Sequence, residues 1–131
     1  MKISANIHSA YNQHEVQVET NGASKSVTIA PKATGYGSSV NGGEMLLLAL
    51  ATCFCNDIYR EAAKRNMAVT GVEVECTADF GADGEPGKNF QYKAKITSDA
   101  PEADIAALLR HTDQIAEIHT TLRQGATVTL V

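Results

Sequence analysis

The chain has 131 residues and a formal net charge of −4, with acids and bases interspersed. That length supports one domain with its own core, and the mixed acidic balance excludes a general nucleic-acid binder, which carries a basic stripe. Three cysteines without a CxxC pair exclude a dense disulfide framework and point to a reducing, cytoplasmic setting.

Met1–Lys2–Ile3–Ser4 leads straight into alternation, so no signal segment is expected. Lys2 to His8 and His14 to Glu19 alternate apolar and polar residues around the turn Ser9–Gln13, which predicts a hairpin. Asn21–Gly22 is a turn signal, and Ser24 to Ala30 reads as a third strand that Pro31 ends. Residues 32 to 43 are rich in Gly and Ser and form a loop long enough to be functional. Glu44 to about Asn66 then reads as one long helix with Leu47, Leu48, Ala51, Cys55, Ile58, Ala62 and Arg65 in a stripe. Its first half is apolar on nearly every side, which predicts burial all round, and its polar second half is expected to reach solvent. The run Met45–Ala51 is far too short to span a bilayer.

Val69 to Phe80 alternates, with Val72, Val74, Cys76 and Ala78 on one face. After the Gly-rich turn 81–87, Asn89 to Thr97 alternates in reply and completes a second hairpin. Pro101–Glu102 opens a helix with Ile105, Leu108 and Leu109 facing the core. Thr112 or Asp113 begins a second short helix that Gly125 closes, and Ala126 to Val131 is a final strand. The order predicts a single α+β domain, residues 1–131, with mostly antiparallel sheets. A helix apolar on all faces needs more cover than one small chain offers, so an obligate homodimer sharing its core is expected.

Cys53 is the most informative side chain, because a thiol in an apolar helix is ordinarily inert packing and becomes useful only as a thiolate. Cys55 lies two residues on and points to another face of the helix, so it cannot bridge to Cys53 while the helix is intact. Cys76 reads as packing. His8, His14, His111 and His119 have no HxxxH or HExxH spacing and no nearby cysteine, so no metal site and no cofactor are expected.

The segment Gly42–Gly43–Glu44–Met45–Leu46–Leu47–Leu48–Ala49–Leu50–Ala51–Thr52–Cys53 resembles the E-L-L-L-A-A-L-A-x-C signature of OsmC-like proteins, which include the organic hydroperoxide resistance proteins. The order of strands and helices is similar over nearly the whole chain. The resemblance implies an OsmC-like fold, with antiparallel sheets packed around a long buried central helix and an intertwined homodimer with sites at the subunit interface. It also implies thiol peroxidase chemistry on organic hydroperoxides. By this resemblance Cys53 is the attacking cysteine. Glu44 stands one residue closer to it than the peroxidases' catalytic glutamate, and Gly43 occupies that glutamate's place. The stretch that normally opens with the resolving cysteine reads Ala116–Glu117–Ile118–His119–Thr120–Thr121–Leu122, with Ala116 in the cysteine's place. No arginine precedes Arg60 to match the family's N-terminal arginine.

The candidate catalytic residues are therefore Cys53, Glu44 and His119. Glu44 either orients the thiol or simply favours the helix dipole. His119, close to the place of the missing cysteine, is either a cation facing Cys53 or a polar residue on a short amphipathic helix. Lys32, Arg60 and Arg65 read as solvated charges. Three readings follow. One is a one-cysteine peroxidase that needs an external thiol reductant. Another is a binding protein for a small hydrophobic ligand, with Cys53 in the pocket wall. The third is a structural relic whose dimer has lost its chemistry. Neither a nucleic-acid partner nor a membrane is expected.

Overall fold

A computed structural model describes all 131 residues, and the fold is α+β with antiparallel sheets. The chain divides into two compact units, Met1–Glu44 and Met45–Val131.

The first unit is a three-stranded sheet of β1 (Ile3–Ala10), β2 (Gln13–Thr20) and β3 (Ala23–Ser26) in that spatial order. Ala10 pairs with Gln13 and Thr20 with Ala23, so both hairpins close through two residues. Asn21 and Gly22 both take positive φ, 50° and 84°, the primed-turn geometry that matches strand twist. The third strand ends at Ser26 rather than Ala30. Beyond it the Val27 N–H still donates to the Val16 carbonyl of β2 (3.0 Å), but the Ala30 carbonyl accepts from Ser39 N–H (2.9 Å), so the far end of the segment is claimed by the following loop. That loop folds back on the first hairpin tip, where Asn12 N–H donates to the Gly35 carbonyl (2.9 Å) and Tyr11 meets Tyr36 edge-on.

Helix α1 runs from Gly42 to Lys64. Its start is a reciprocal cap. Asn41 Oδ1 accepts from the Glu44 N–H (2.8 Å), and Glu44 Oε2 accepts from the Asn41 N–H (2.9 Å). At the other end Asn66 is left-handed (φ 54°), with Met67 N–H donating to Ala62 and Asn66 N–H to Ala63. That pattern satisfies the last carbonyls and stops the helix.

In the second unit β4 (Val69–Asp79) and β5 (Lys88–Ser98) form a two-stranded antiparallel sheet. Val72 faces Ile96, Val74 faces Ala94 and Cys76 faces Tyr92, as the alternation required. This face packs on a core of Phe54, Ile58, Ala62, Leu108 and Ala116. Each large side chain fully buried there contributes about 1.5–3 kcal/mol.

The burial of α1 differs from the expectation. The face with Leu50, Phe54, Asp57, Ile58, Glu61 and Ala62 is buried, and two of these are acids. The apolar first half is not covered within one chain, and Leu48 is 56% exposed. Within one chain the buried stripe is therefore rotated from the expected one, and Asp57 and Glu61 lie inside, while Asn56, Arg60, Lys64 and Arg65 reach solvent as expected. The cause is the core, which is built by β4, β5 and the later helices against the C-terminal half.

Helix α2 continues from Glu102 through Ile115, and α3 spans Glu117–Gln124. The break falls at Ala116 rather than Thr112. Buried Thr112 donates its hydroxyl back to the Leu108 carbonyl (2.8 Å), which keeps it inside the helix instead of capping a new one. Gly125 closes α3 in the left-handed region, as expected. The alternating tail Ala126–Val131 is not a strand in the single chain, and Val128 and Leu130 are 96% and 99% exposed. A strand forms only against a ladder partner, and these residues have none here. No helix is long and apolar enough to cross a membrane.

Candidate functional site: a thiol between two carboxylates

Cys53 is half-buried on α1 and packs on one side against the core. The turn of α1 that follows places Asp57 four residues on, and the next brings Arg60. The sharp break at Ala116 turns the start of α3 toward the same spot. The Ile118 backbone N–H, one of the unpaired donors of that helix start, lies near the sulfur and favours its thiolate.

The side chains around the sulfur oppose that effect. Cys53 Sγ lies 3.6 Å from Asp57 Oδ2 and 3.8 Å from Glu117 Oε2. Arg60 Nη1 sits 2.8 Å from Asp57 Oδ1 and 4.0 Å from Glu117 Oε1, and Arg60 Nε donates to Glu61 Oε1 at 3.0 Å. Burial first, and then the two carboxylates, push the thiol above its ordinary range despite the Ile118 N–H. Asp57, only 3% exposed, is itself raised, by burial and by the negative charge of Glu117, against the opposing pull of Arg60. The Cys53, Asp57 and Glu117 donor atoms lie within 4.8 Å of one another, near enough to share an ion. Arg60 already supplies the counter-charge at the carboxylates, so this arrangement reads as a neutral thiol beside an arginine–carboxylate ion pair.

The three expected site residues have different fates. Cys53 anchors the cluster. Glu44, in the N-terminal unit, holds the cap of α1 with its carboxylate. His119 is buried at 4% exposure, with its ring 4.6 Å from Tyr92 and 5.6 Å from Phe54 between centroids. Both of its ring nitrogens are buried without a partner. Burial, with Arg123 nearby, lowers its pKa, which favours the neutral ring. Within one chain, then, His119 is an aromatic core residue, and the charges bearing on the sulfur are negative. Arg60 stays exposed, as expected of a solvated charge, but it also pairs with Asp57 and Glu61.

Sequence reasoning missed Asp57, Arg60 and Glu117. The first two were detectable, since i, i+4 and i, i+3 spacing places Cys53, Asp57 and Arg60 on one face. Glu117 was not, because its approach depends on where α2 breaks. A second polar group lies beyond Tyr92, whose hydroxyl donates to Asp113 Oδ1 while Arg123 Nη2 binds the same carboxylate (2.6 Å). Cys76 pairs across the sheet with Tyr92 and is pushed up by burial, which fits packing.

The model of the OsmC-like protein family matches residues 35–131. Among solved structures, an OsmC-like protein from Mycoplasma pneumoniae is similar, with 20% identity and a TM-score of 0.62 over 98% of this chain and 97% of that one. An OsmC-like hydroperoxide resistance protein from Jannaschia is similar at 18% identity and TM-score 0.59, covering 96% and 87%. An organic hydroperoxide resistance protein from Legionella pneumophila gives 17%, 0.61, 94% and 90%. At these identities the likeness is one of fold. No curated protein matches the chain.

Proposed function

Because the chain belongs to the OsmC-like protein family, we propose that it acts in thiol-dependent defence against organic hydroperoxides, as a one-cysteine peroxidase. The observation that carries the reading is the position of Cys53, which ends the apolar helix segment of the family and meets the start of α3 at Glu117. In this reading residues 1–131 work as one functional domain, in a reducing cytoplasm that supplies the thiol.

The chemistry balances with one protein sulfur. Sγ attacks the distal peroxide oxygen, the O–O bond breaks, and Cys53 becomes a sulfenic acid while the alcohol leaves. One external thiol condenses with the sulfenic acid and releases water. A second external thiol displaces Cys53 and leaves as part of a disulfide. Ala116, fully buried, cannot serve as the resolving partner.

The working unit is a homodimer. Two features support this: the uncovered apolar half of α1, with Leu48 exposed, and the alternating tail 126–131 without a strand partner. Sedimentation equilibrium at micromolar concentration is expected to give a single dimeric species, and a well-folded monomer would refute it.

The test of function is consumption of cumene hydroperoxide in the presence of a dithiol. Cys53→Ser should abolish it. Equal turnover by Cys53→Ser, or none by the wild type, would overturn the peroxidase reading. The raised thiol pKa favours a second reading, a binder of small hydrophobic ligands whose wall includes an unreactive Cys53. That reading expects saturable binding of an apolar fluorophore and no peroxide consumption.

A further inference from the structure

The peroxidase reading leaves one chemical difficulty. The resting sulfur is a thiol, and no cation touches it to make it a thiolate. We propose that Asp57 is the catalytic proton acceptor for Cys53, held in place by Arg60, so that the thiol is deprotonated only as it attacks. The inference rests on the peroxidase reading for its substrate but not for its geometry.

Three observations converge. First, reach: Asp57 Oδ2 is 3.6 Å from Sγ, within hydrogen-bonding range for sulfur. Second, orientation: the other carboxylate oxygen is fixed by Arg60 Nη1 at 2.8 Å, so nucleophile, base and orienting group occupy successive turns of one helix at 53, 57 and 60. Third, environment: Asp57 is buried and Glu117 stands beside it, which make it a stronger base than a solvated aspartate. Glu117 also approaches the sulfur, at 3.8 Å, but its side chain is 68% exposed and less well fixed. The groups facing the sulfur are thus Asp57 on α1 and Glu117 and the Ile118 N–H on α3, with Arg60 acting through the carboxylates.

In the step itself, the sulfur lone pair forms the S–O bond to the distal oxygen of an organic hydroperoxide as the O–O bond breaks. The thiol proton passes to Asp57 and from it to the leaving alkoxide, giving the alcohol. Sulfur is oxidised by two electrons, the peroxide is reduced by two, and Asp57 ends as it began. The competing account makes Asp57–Arg60 a helix ion pair that merely burdens the thiol with a negative charge.

The two accounts predict opposite signs. The rate of iodoacetamide labelling at Cys53, read by peptide mass in the full chain, is measured from about pH 5 to about pH 9 in H2O and D2O. A proton acceptor gives the wild type a pH-independent plateau at neutral pH and a normal solvent isotope effect of about 2. Asp57→Asn should lose the plateau and slow labelling near neutrality by about 10- to 100-fold. Glu117→Gln, which leaves Asp57 and its Arg60 pair in place, should keep the plateau, and a plateau lost there but kept in Asp57→Asn would make Glu117 the acceptor and overturn the proposal. If Asp57→Asn labels as fast as wild type or faster, charge removal is the whole effect and the proposal fails. If that variant does not fold, the wild-type isotope effect decides alone, and its absence overturns the proposal. Labelling that behaves as proposed in a protein that leaves cumene hydroperoxide intact would refute the peroxidase reading and keep the proton acceptor.

Discussion

Replacing Ala116 with cysteine tests the site geometry most directly. Ala116 has no exposed surface and belongs to the core cluster against which Cys53 packs. The next residue of the chain, Glu117, reaches the Cys53 sulfur at 3.8 Å. A sulfur added at 116 is therefore expected within bridging range of Cys53. In the reduced Ala116→Cys protein the extra atom overpacks a closed core and costs about 1–3 kcal/mol. Oxidation closes a loop of about 64 residues and should return ~4 kcal/mol by restricting the unfolded chain. The oxidised variant is thus expected to match or exceed the wild type in urea unfolding, and dithiothreitol should drop it below. Intact mass after one equivalent of cumene hydroperoxide should show the loss of two hydrogens in the variant and the gain of one oxygen in the wild type. A folded variant that gains oxygen without bridging would refute the placement of α3 over Cys53.

Other outcomes follow from the same contacts. Leu108→Ala removes a fully buried core side chain and should cost about 2–5 kcal/mol in urea unfolding, with an unchanged midpoint counting against the described core. Glu61 is held down to about 2 chiefly by Lys64 and Arg60. Its folded pKa is depressed, so its stabilisation is full above the ordinary carboxylate value of about 4.3 and is lost as pH falls through 2, with Glu61→Gln flattening that limb of an acid unfolding curve. His119 has a folded pKa lowered by burial, so it disfavours the folded state only as pH drops below the ordinary value of about 6.5. Its ring resonances should titrate below the ordinary value of about 6.5, and a normal or raised titration would place it in a different environment.

Much of the fold was legible in the sequence because its signals are local. Period-two alternation in residues 69–79 and 88–98 fixed β4 and β5 and their inward faces. Asn21–Gly22 fixed a tight turn through its positive φ angles, and Gly125 fixed the end of α3. Cys53 was legible too, through the family segment that contains it. What the sequence could not decide was which side of α1 is inside. The run around Met45–Cys53 is apolar in every direction, so periodicity alone leaves its rotation open, and the core that β4, β5 and α2 build selects Phe54, Ile58 and Ala62. The same core buries Asp57 and Glu61, which a hydrophobicity pattern assigns to solvent. Tertiary structure alone also set the chemistry of the thiol. A pKa depends on charges a few ångströms away, and Glu117 reaches Cys53 across 64 residues of chain only because the helix breaks at Ala116 rather than Thr112.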